Sequence, residues 1–156
     1  NHILGGGGFT SRLYREIREK RGLAYSISSG LNPRQASATL IGGAGTANAR
    51  VRETLDIIKA EWQLMSDYGV SDKELKDAKT YLTGAYPLRF TESGRIANML
   101  VGLQLANLSP DYVKTRNALI NEVSRDDVGR IAKKLLDAES LVTVVVGQPS
   151  DITSTP

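Results

Sequence analysis

The chain has 156 residues, of which 40% are hydrophobic and 24% are charged, and this balance suits one globular domain large enough to bury a core. Its net charge is only +3 and no basic run is interleaved with aromatic residues, which argues against a nucleic-acid-binding protein. No apolar run approaches the ~20 residues that cross a bilayer, and the absence of cysteine excludes disulfides, thiol nucleophiles and thiolate metal sites.

The first residues have the pattern of a helix end. Asn1–Leu4 are typical of a last helical turn, with Gly5 just past it, and they form neither a start methionine nor a signal peptide. We therefore expect an N-terminally truncated fragment of a longer protein. The sequence leaves its compartment open, since bacterial periplasm and cytoplasm are both compatible with it.

A short helix and a β-hairpin are predicted next. Thr10 or Ser11 caps a helix that runs to about Arg21 and stops at Gly22. Alternation of period two then predicts a half-buried strand, whose apolar side consists of Leu23, Tyr25, Ile27 and Leu31. A turn over residues 32–35 leads to a second strand over residues 36–42.

The centre of the sequence predicts five helices. The first ends at Gly69, and the second ends at Tyr86 because Pro87 follows it. The markers of the five are the Val51–Met65 apolar stripe, the Ser71–Glu74 capping box, the 96–103 apolar repeat, the Ser109–Pro110 cap and the Ser124–Asp127 capping box.

The C-terminal part predicts one more strand. Leu141–Val146 is an apolar run rich in valine, which indicates a buried strand. Strands near both ends of a helical middle predict an α+β fold, a largely antiparallel sheet with helices packed on one face. We expect a single domain over residues 1–148 and a polar tail over residues 149–156.

The histidine count limits the chemistry that the chain can perform alone. Hydrolytic zinc sites take three protein ligands, usually two of them histidine, and a serine-type triad needs a histidine base. His2 is the only histidine of the sequence. We therefore predict no metal site in this chain and no autonomous hydrolysis.

Two glycine clusters could be read as nucleotide-binding loops. Gly5–Gly8 is not followed by the lysine of a phosphate loop, and Gly43–Asn48 has asparagine where a dinucleotide fingerprint needs glycine or alanine. The second cluster is more simply a strand-to-helix turn in which Thr46 or Asn48 caps the helix. For the first, a helix terminator and a loop lying against a peptide backbone both stay open.

The segment from Arg18 to Tyr25 carries the main functional hypothesis. The tight turn at Gly22 can bring the guanidinium and the phenol to the same edge of the sheet. Such a pair would offer hydrogen-bond donors to a peptide carbonyl or to the oxyanion that forms from it. The alternative is a solvated arginine on an amphipathic helix and a tyrosine that packs in the core.

These residues resemble a known family. Leu4–Gly8, Ser11–Tyr14, Arg18–Lys20 and Gly22–Ser26 look like the second domain of pitrilysin/insulinase-type zinc metallopeptidases, a group that includes bacterial and mitochondrial processing peptidases. The later elements of the chain follow in a compatible order. The resemblance implies a clamshell of two similar α+β halves that closes over an unfolded peptide.

The same resemblance implies roles for individual residues. One half of such an enzyme carries the His-x-x-Glu-His zinc motif, so zinc is expected in a homologous partner domain or subunit and no cofactor in this chain. The other half supplies Arg18 and Tyr25 as substrate or transition-state contacts, with Tyr25 hydrogen-bonding the scissile carbonyl oxygen. By analogy with a glycine-rich peptide-binding loop, Gly6, Gly7, Gly8 and Phe9 are expected to contact substrate.

Two alternatives remain at this stage. Relatives of this fold serve as inert scaffold subunits of a respiratory complex, and a small-molecule or nucleotide-binding module would use the glycine clusters. Retention of both Arg18 and Tyr25 favours the peptidase half, because a scaffold has no need of the pair. A homodimer through an exposed sheet edge is a further expectation.

Overall fold

The computed structural model describes residues 1–33, 37–150 and 152–153. Strands β1 (Ala24–Pro33) and β2 (Ala38–Thr46) form an antiparallel hairpin, and five helices follow it. The helices are α1 (Val51–Tyr68), α2 (Asp72–Gly84), α3 (Ser93–Leu105), α4 (Tyr112–Glu122) and α5 (Arg125–Leu135). An antiparallel sheet combined with packed helices confirms the predicted α+β class.

Short helical turns precede the hairpin. Residues His2–Gly6 form a π-type turn and Gly8–Thr10 a 3-10 turn. Tyr14–Glu19, called here the Tyr14 helix, is also wound as a π-helix, so that the Lys20 amide donates to the Arg15 carbonyl at 2.9 Å. The helix predicted up to Arg21 is therefore present, in a wider form than the expected α-helix.

The hairpin differs from its prediction in length. Asn32 and Pro33, predicted as a turn, belong to β1. Arg34, Gln35 and Ala36, which complete that turn and begin the predicted second strand, lie outside the described residues. Strand β2 extends past the predicted end at residue 42 to Thr46, because Gly43 and Gly45 pair with β1 residues Ser28 and Ser26.

The hydrophobic core lies between the hairpin, the Tyr14 helix, α1 and α5. Leu4 and Ile17 are among its least exposed residues. Burying an aliphatic side chain of this size contributes roughly 1.5–3 kcal/mol. The remaining buried members include Leu13, Leu23, Ile27, Trp62, Met65, Val70 and Leu136.

Helix α1 confirms the apolar stripe read from the sequence. Val51, Trp62 and Met65 are buried, and the helix ends at Gly69, whose φ of +67° lies in the left-handed region. The buried Thr54 hydroxyl donates to the Arg50 carbonyl one turn earlier, at 2.8 Å, so this core-facing hydroxyl has its acceptor within the helix.

Both predicted capping boxes form. Ser71 with Glu74 begins α2, and Ser124 with Asp127 begins α5. Helix α2 ends at Gly84, two residues before the predicted Tyr86. The residue before a proline is disfavoured in the α conformation, and Tyr86–Phe90 forms a 3-10 turn around Pro87 instead.

Neither residue proposed as the cap of α1 caps it. The Thr46 hydroxyl donates to the Leu23 carbonyl at 2.7 Å because Thr46 is still part of β2. Asn48 begins a 3-10 turn, and its side-chain oxygen accepts from the Gln148 amide at 3.2 Å. That prediction was wrong because distant residues use both side chains.

The prediction of a buried strand at Leu141–Val146 was also wrong. The segment belongs to no sheet, and Val142, Val144 and Val146 are exposed. A groove separates it from β2, so it lacks the neighbouring strand that a sheet needs. Asp151 and residues 154–156 lie outside the described part, and the polar tail at 149–156 stays a prediction.

The more C-terminal helices pack less deeply. Helix α2 contacts α4, and neither α3 nor α4 contains a fully buried residue. Among the described helices, none combines the length and apolar character that a bilayer crossing requires.

Candidate functional site

The loop at Gly22 brings the Tyr14 helix and β1 together. Gly22 has a φ of +59°, and its amide donates to the Arg18 carbonyl at 3.0 Å. Its carbonyl in turn accepts from the Arg50 guanidinium at 2.6 Å. Glycine tolerates this left-handed conformation, which reverses the chain within a few residues and sets Arg18 beside the first residues of β1.

A β-bulge decides the direction of Tyr25. Ala24 pairs with Thr46 and Ser26 pairs with Gly45, so Tyr25 is an extra residue without a partner on β2. An extra residue rotates the strand locally. Tyr25 therefore leaves the side of the strand on which Ile27 is buried, and its side chain is 84% exposed.

Arg18 and Tyr25 are in contact at this corner. The Arg18 Cζ atom lies 5.1 Å from the centroid of the Tyr25 ring and 5.0 Å from that of Tyr14, so the guanidinium contacts two rings. Phe9, which is 75% exposed, packs its ring edge-to-face on Tyr14 at 4.9 Å. These four residues are called here the Arg18 cluster.

The Arg18 guanidinium has no protein acceptor among the described residues. Other basic residues of the same helical region are paired: Arg12 with Glu74, and Arg15, Lys20 and Arg21 with Glu16. Hydrogen bonds from Lys20 and Arg21 lower the pKa of Glu16 to about 2. Arg18 thus combines a fixed position over aromatic rings with N–H groups that are available to a ligand.

The glycine run before Phe9 has partly structural reasons. A Cβ on Gly5 would lie 2.4 Å from the Ser29 Oγ and 2.9 Å from the Ser29 amide nitrogen, so glycine lets the turn approach β1. Gly8 has a φ of +58°, which favours glycine at an open position.

The family model described as "Peptidase M16 inactive domain" matches residues 1–82. This match includes the glycine run, the Tyr14 helix and the hairpin. The chain belongs to the M16 inactive-domain family. This confirms the resemblance to the second, non-zinc-binding domain of the zinc metallopeptidases.

Relatives of this M16 domain agree with the assignment. An "uncharacterized zinc protease" of Streptomyces coelicolor is 33% identical over 90% of this chain. A crystal structure of a peptidase M16 inactive domain from Pseudomonas fluorescens aligns with a TM-score of 0.78 and 32% identity over 88% of this chain. A "non-peptidase homolog" of Helicobacter pylori is 26% identical over 90% of this chain.

The M16 domain spans only part of these relatives. It covers 30% of the Streptomyces protein and 33% each of the Pseudomonas and Helicobacter proteins. What the comparisons support for this chain is therefore a non-catalytic domain of a zinc-protease-like protein.

The residues of this M16 domain do not fit a zinc site. The described residues contain no group of three or more histidine, cysteine or acidic side chains that could hold a metal ion. His2, the single histidine, stacks on the Tyr81 ring at 5.1 Å, and burial lowers its pKa. Its imidazole has an aromatic neighbour instead of further ligands.

Sequence reasoning missed one member of the Arg18 cluster. No contact between Tyr14 and Arg18 was predicted, whereas the Tyr14 ring lies against the Arg18 guanidinium and also packs against the core. The four-residue spacing of Tyr14 and Arg18 was the available signal, because side chains at i and i+4 meet on a helix surface. Phe9 was expected as part of the glycine loop, and its contact with Tyr14 joins that loop to the cluster.

Proposed function

We propose that this domain is the substrate-binding, non-catalytic half of a zinc metalloendopeptidase acting on unfolded peptides. The observation that carries the proposal is the Arg18 cluster, in which a guanidinium with free donors lies beside an exposed phenol. The cleft would be completed by a zinc-bearing His-x-x-Glu-His domain. The zinc belongs to that partner, whether it is a domain of the same polypeptide or a separate subunit.

Arg18 and Tyr25 are proposed to hold the peptide backbone. A guanidinium offers several N–H donors in a fixed plane, and contacts with two rings restrict its orientation before substrate arrives. The Tyr25 hydroxyl is the donor proposed for the scissile carbonyl oxygen. A donor placed where negative charge develops contributes more to turnover than to binding.

The glycine run is proposed to extend the contact surface. Phe9 is exposed and continuous with the cluster through Tyr14, so it offers an apolar surface for a substrate side chain. Gly6 and Gly8 are also exposed and extend this surface beside Phe9. A backbone without side chains permits close approach of an extended peptide.

Replacing Tyr25 with phenylalanine tests the proposal. In the enzyme assembled with its zinc-bearing half, Tyr25→Phe should lower kcat for an unfolded peptide by about 10²–10³-fold, because one transition-state donor is lost. KM should stay within about twofold. Tyr68→Phe is the matched control, since Tyr68 is similarly exposed at the end of α1, and it should leave both constants unchanged.

The outcomes separate the candidate roles. Equal turnover in Tyr25→Phe and the parent enzyme would remove Tyr25 from the mechanism. Absence of cleavage in the assembled parent, with zinc bound by the other half, would instead favour an inert scaffold.

The scaffold is the second candidate because one relative is described as a non-peptidase homolog. A scaffold requires packing surfaces and no free donors at the Arg18 cluster. It therefore predicts that Arg18 and Tyr25 can be replaced together without loss of assembly. Measuring assembly by size-exclusion chromatography and cleavage in the same samples distinguishes the two candidates.

A further inference from the structure

A cleft lies between the glycine run and helix α2. It has a volume of about 730 Å³, and its walls include His2, Ile3 and Phe9 from the N-terminal turns and Ala78 and Tyr81 from α2. We call it the Tyr81 pocket. Pockets that bind small ligands have volumes of about 300–1,000 Å³, so this one has room for a large side chain.

Two rings form one wall of the Tyr81 pocket. The His2 imidazole stacks on the Tyr81 ring, with 5.1 Å between the centroids and 20° between the planes. Glycine at position 7 makes room for this wall, because a Cβ there would lie 3.0 Å from the imidazole Cε1 and 3.1 Å from its Nε2. Burial lowers the pKa of His2, so the wall is uncharged at neutral pH.

Apolar groups complete the pocket. Ala78 is buried and contributes only a methyl group, which leaves space between the turns and α2. Ile3 is partly buried and packs against the core. Phe9 and Tyr81 are largely exposed, so two large rings border the pocket without being covered. Apolar surface that is contiguous and exposed marks a binding site, whereas scattered exposed residues do not.

The charged residues that line the pocket have partners of opposite charge within the domain. The pairs are Arg12 with Glu74, Lys73 with Asp77, and Arg15 with Glu16. A charged ligand group would have to displace one of these partners, whereas an uncharged ring requires no ion-pair partner. The lining therefore favours an aromatic side chain over a charged one.

The pocket is continuous with the Arg18 cluster. The Phe9 ring lines the pocket and also contacts the Tyr14 ring at 4.9 Å. Tyr14 contacts Arg18 at 5.0 Å, and Arg18 contacts Tyr25 at 5.1 Å. This path from Tyr25 to Phe9 is no longer than about five residues of extended peptide at ~3.3 Å each. A peptide bound at Arg18 and Tyr25 would therefore bring a nearby side chain to Phe9.

We propose that the Tyr81 pocket binds an aromatic side chain of the substrate peptide, within about five residues of the bond that is cleaved. The bound ring would lie against Phe9 and the His2–Tyr81 stack, since aromatic rings prefer offset-stacked or edge-to-face contacts with one another. The inference rests on the proposed function for the identity of its ligand. It makes this domain a source of sequence preference in addition to its contacts with the peptide backbone.

Binding of single amino-acid probes by the 156-residue chain tests the pocket without the zinc-bearing half. N-acetylphenylalanine amide and N-acetylalanine amide are titrated, and heteronuclear NMR spectra record the amide signals. We expect the phenylalanine probe to bind with a Kd about tenfold below that of the alanine probe. Its shifts should centre on residues 2–10 and 73–81. Equal binding of the two probes, or shifts confined to other residues, would overturn the proposal.

A third probe separates ring recognition from apolar volume. N-acetylcyclohexylalanine amide has a side chain of similar size without a π-system. It should bind about threefold more weakly than the phenylalanine probe, because it lacks the ring–ring contacts. If the cyclohexyl probe binds as tightly as the phenylalanine probe, the pocket does not select aromatic side chains and the proposed ligand class is wrong.

Variants at Tyr81 supply the matched controls. Tyr81→Ala removes one ring of the wall and should raise the Kd of the phenylalanine probe about fivefold, whereas Tyr81→Phe keeps the ring and should stay within about twofold of the parent. Tyr68→Ala removes a similarly exposed tyrosine at the end of α1, outside the pocket, and should leave the Kd unchanged. Equal Kd values for Tyr81→Ala and Tyr68→Ala would contradict the proposal.

Cleavage by the assembled enzyme separates this inference from the proposed function. Peptides that share one scissile bond carry a single phenylalanine at successive positions. One position within about five residues of the bond should raise kcat/KM about tenfold, and Tyr81→Ala should abolish that maximum. Equal cleavage at all positions, with kcat still lowered by Tyr25→Phe, would refute the pocket alone. A maximum that depends on Tyr81, with turnover unchanged by Tyr25→Phe, would support the pocket and refute the proposed role of Tyr25.

Discussion

Two arginines of this domain lie over tyrosine rings, and their surroundings differ. Arg116 lies 4.3 Å from the centroid of the buried Tyr86 ring and donates to the Leu82 carbonyl and the Asn117 side chain, both at 3.1 Å. Arg18 contacts two rings, one of them largely exposed, and has no protein acceptor in the described residues. An arginine–tyrosine contact therefore helps to fix α4 against α2 at Arg116, whereas at Arg18 it leaves N–H donors without a protein acceptor.

This difference teaches how a functional arginine can be recognised. A cation–π contact alone does not separate the two, because each guanidinium lies within about 5 Å of a ring centroid. The two arginines differ in whether their N–H groups have acceptors within the protein, since a structural arginine uses its donors there.

Among the variants that test this contrast between the two arginines, Arg18→Ala in the assembled enzyme should have the largest effect. Loss of donors that contact the peptide should lower kcat/KM by about 10²-fold, whereas loss of the exposed contacts with two rings should lower the free energy of unfolding by only about 1 kcal/mol. Steady-state cleavage and urea unfolding measure the two quantities. Arg116→Ala serves as the control and should keep kcat/KM within about twofold. A loss of activity in Arg116→Ala but not in Arg18→Ala would contradict the assignment of the functional arginine.

Arg116→Ala should have the opposite profile. It removes a partly buried cation–π contact and two hydrogen bonds, so the free energy of unfolding should fall by about 2 kcal/mol. Asn117→Ala removes one of these hydrogen bonds and the bond from Asn117 to the Thr83 carbonyl, but it keeps the cation–π contact and should cost less. If Arg116→Ala destabilises the domain no more than Arg18→Ala does, the hydrogen bonds that an arginine makes within the protein do not predict its contribution to stability.

Glu16, beside Arg18, should contribute part of the acid dependence of stability. The pKa of Glu16 is about 2 in the folded protein against 4.5 ordinarily, so its contribution is fully present above pH 4.5 and is lost as the pH falls toward 2. Because Arg15, Lys20 and Arg21 are 42–55% exposed, this contribution should stay below about 1 kcal/mol.

Urea unfolding of the parent and Glu16→Gln between pH 2 and 7 measures this contribution. The difference between the two proteins should shrink as the pH falls. The same series with Arg18→Ala should show a constant difference, since Arg18 has no carboxylate partner. A difference that varies with pH for Arg18→Ala would reveal an ion pair absent from the structure.

The smallest effects are expected at Tyr14. Tyr14→Phe keeps the ring that contacts Arg18 and should leave KM unchanged. Tyr14→Ala removes one of the two rings, and the loss of an exposed cation–π contact should raise KM about two- to fivefold. Peptide titrations of both variants measure the change, and equal KM values in the two would mean that the ring does not position the guanidinium.

Prediction from the sequence was most accurate where local interactions decide the structure. The capping boxes at Ser71 and Ser124 and the stop at Gly69 depend on residues within four positions of one another, and all three were confirmed. The strand at Leu141–Val146 was predicted from composition alone and was wrong, because a strand exists only beside a partner.

The candidate site shows the same division. The residue types and spacing of Arg18 and Tyr25 indicated the pair. Period-two alternation, however, assigned Tyr25 to the face of Leu23 and Ile27. The bulge that turns its ring outward results from pairing with β2. The roles of Arg18, Tyr25 and Gly6–Phe9 in binding substrate stay predictions.

By itself, the sequence determined the α+β class and the family, because these follow from local patterns of residues. Only the tertiary structure decided that Tyr25 leaves the strand face, that Arg18 lies between two rings, and that residues 141–146 are unpaired. Those features depend on contacts between residues far apart in the chain, whose geometry no local pattern specifies.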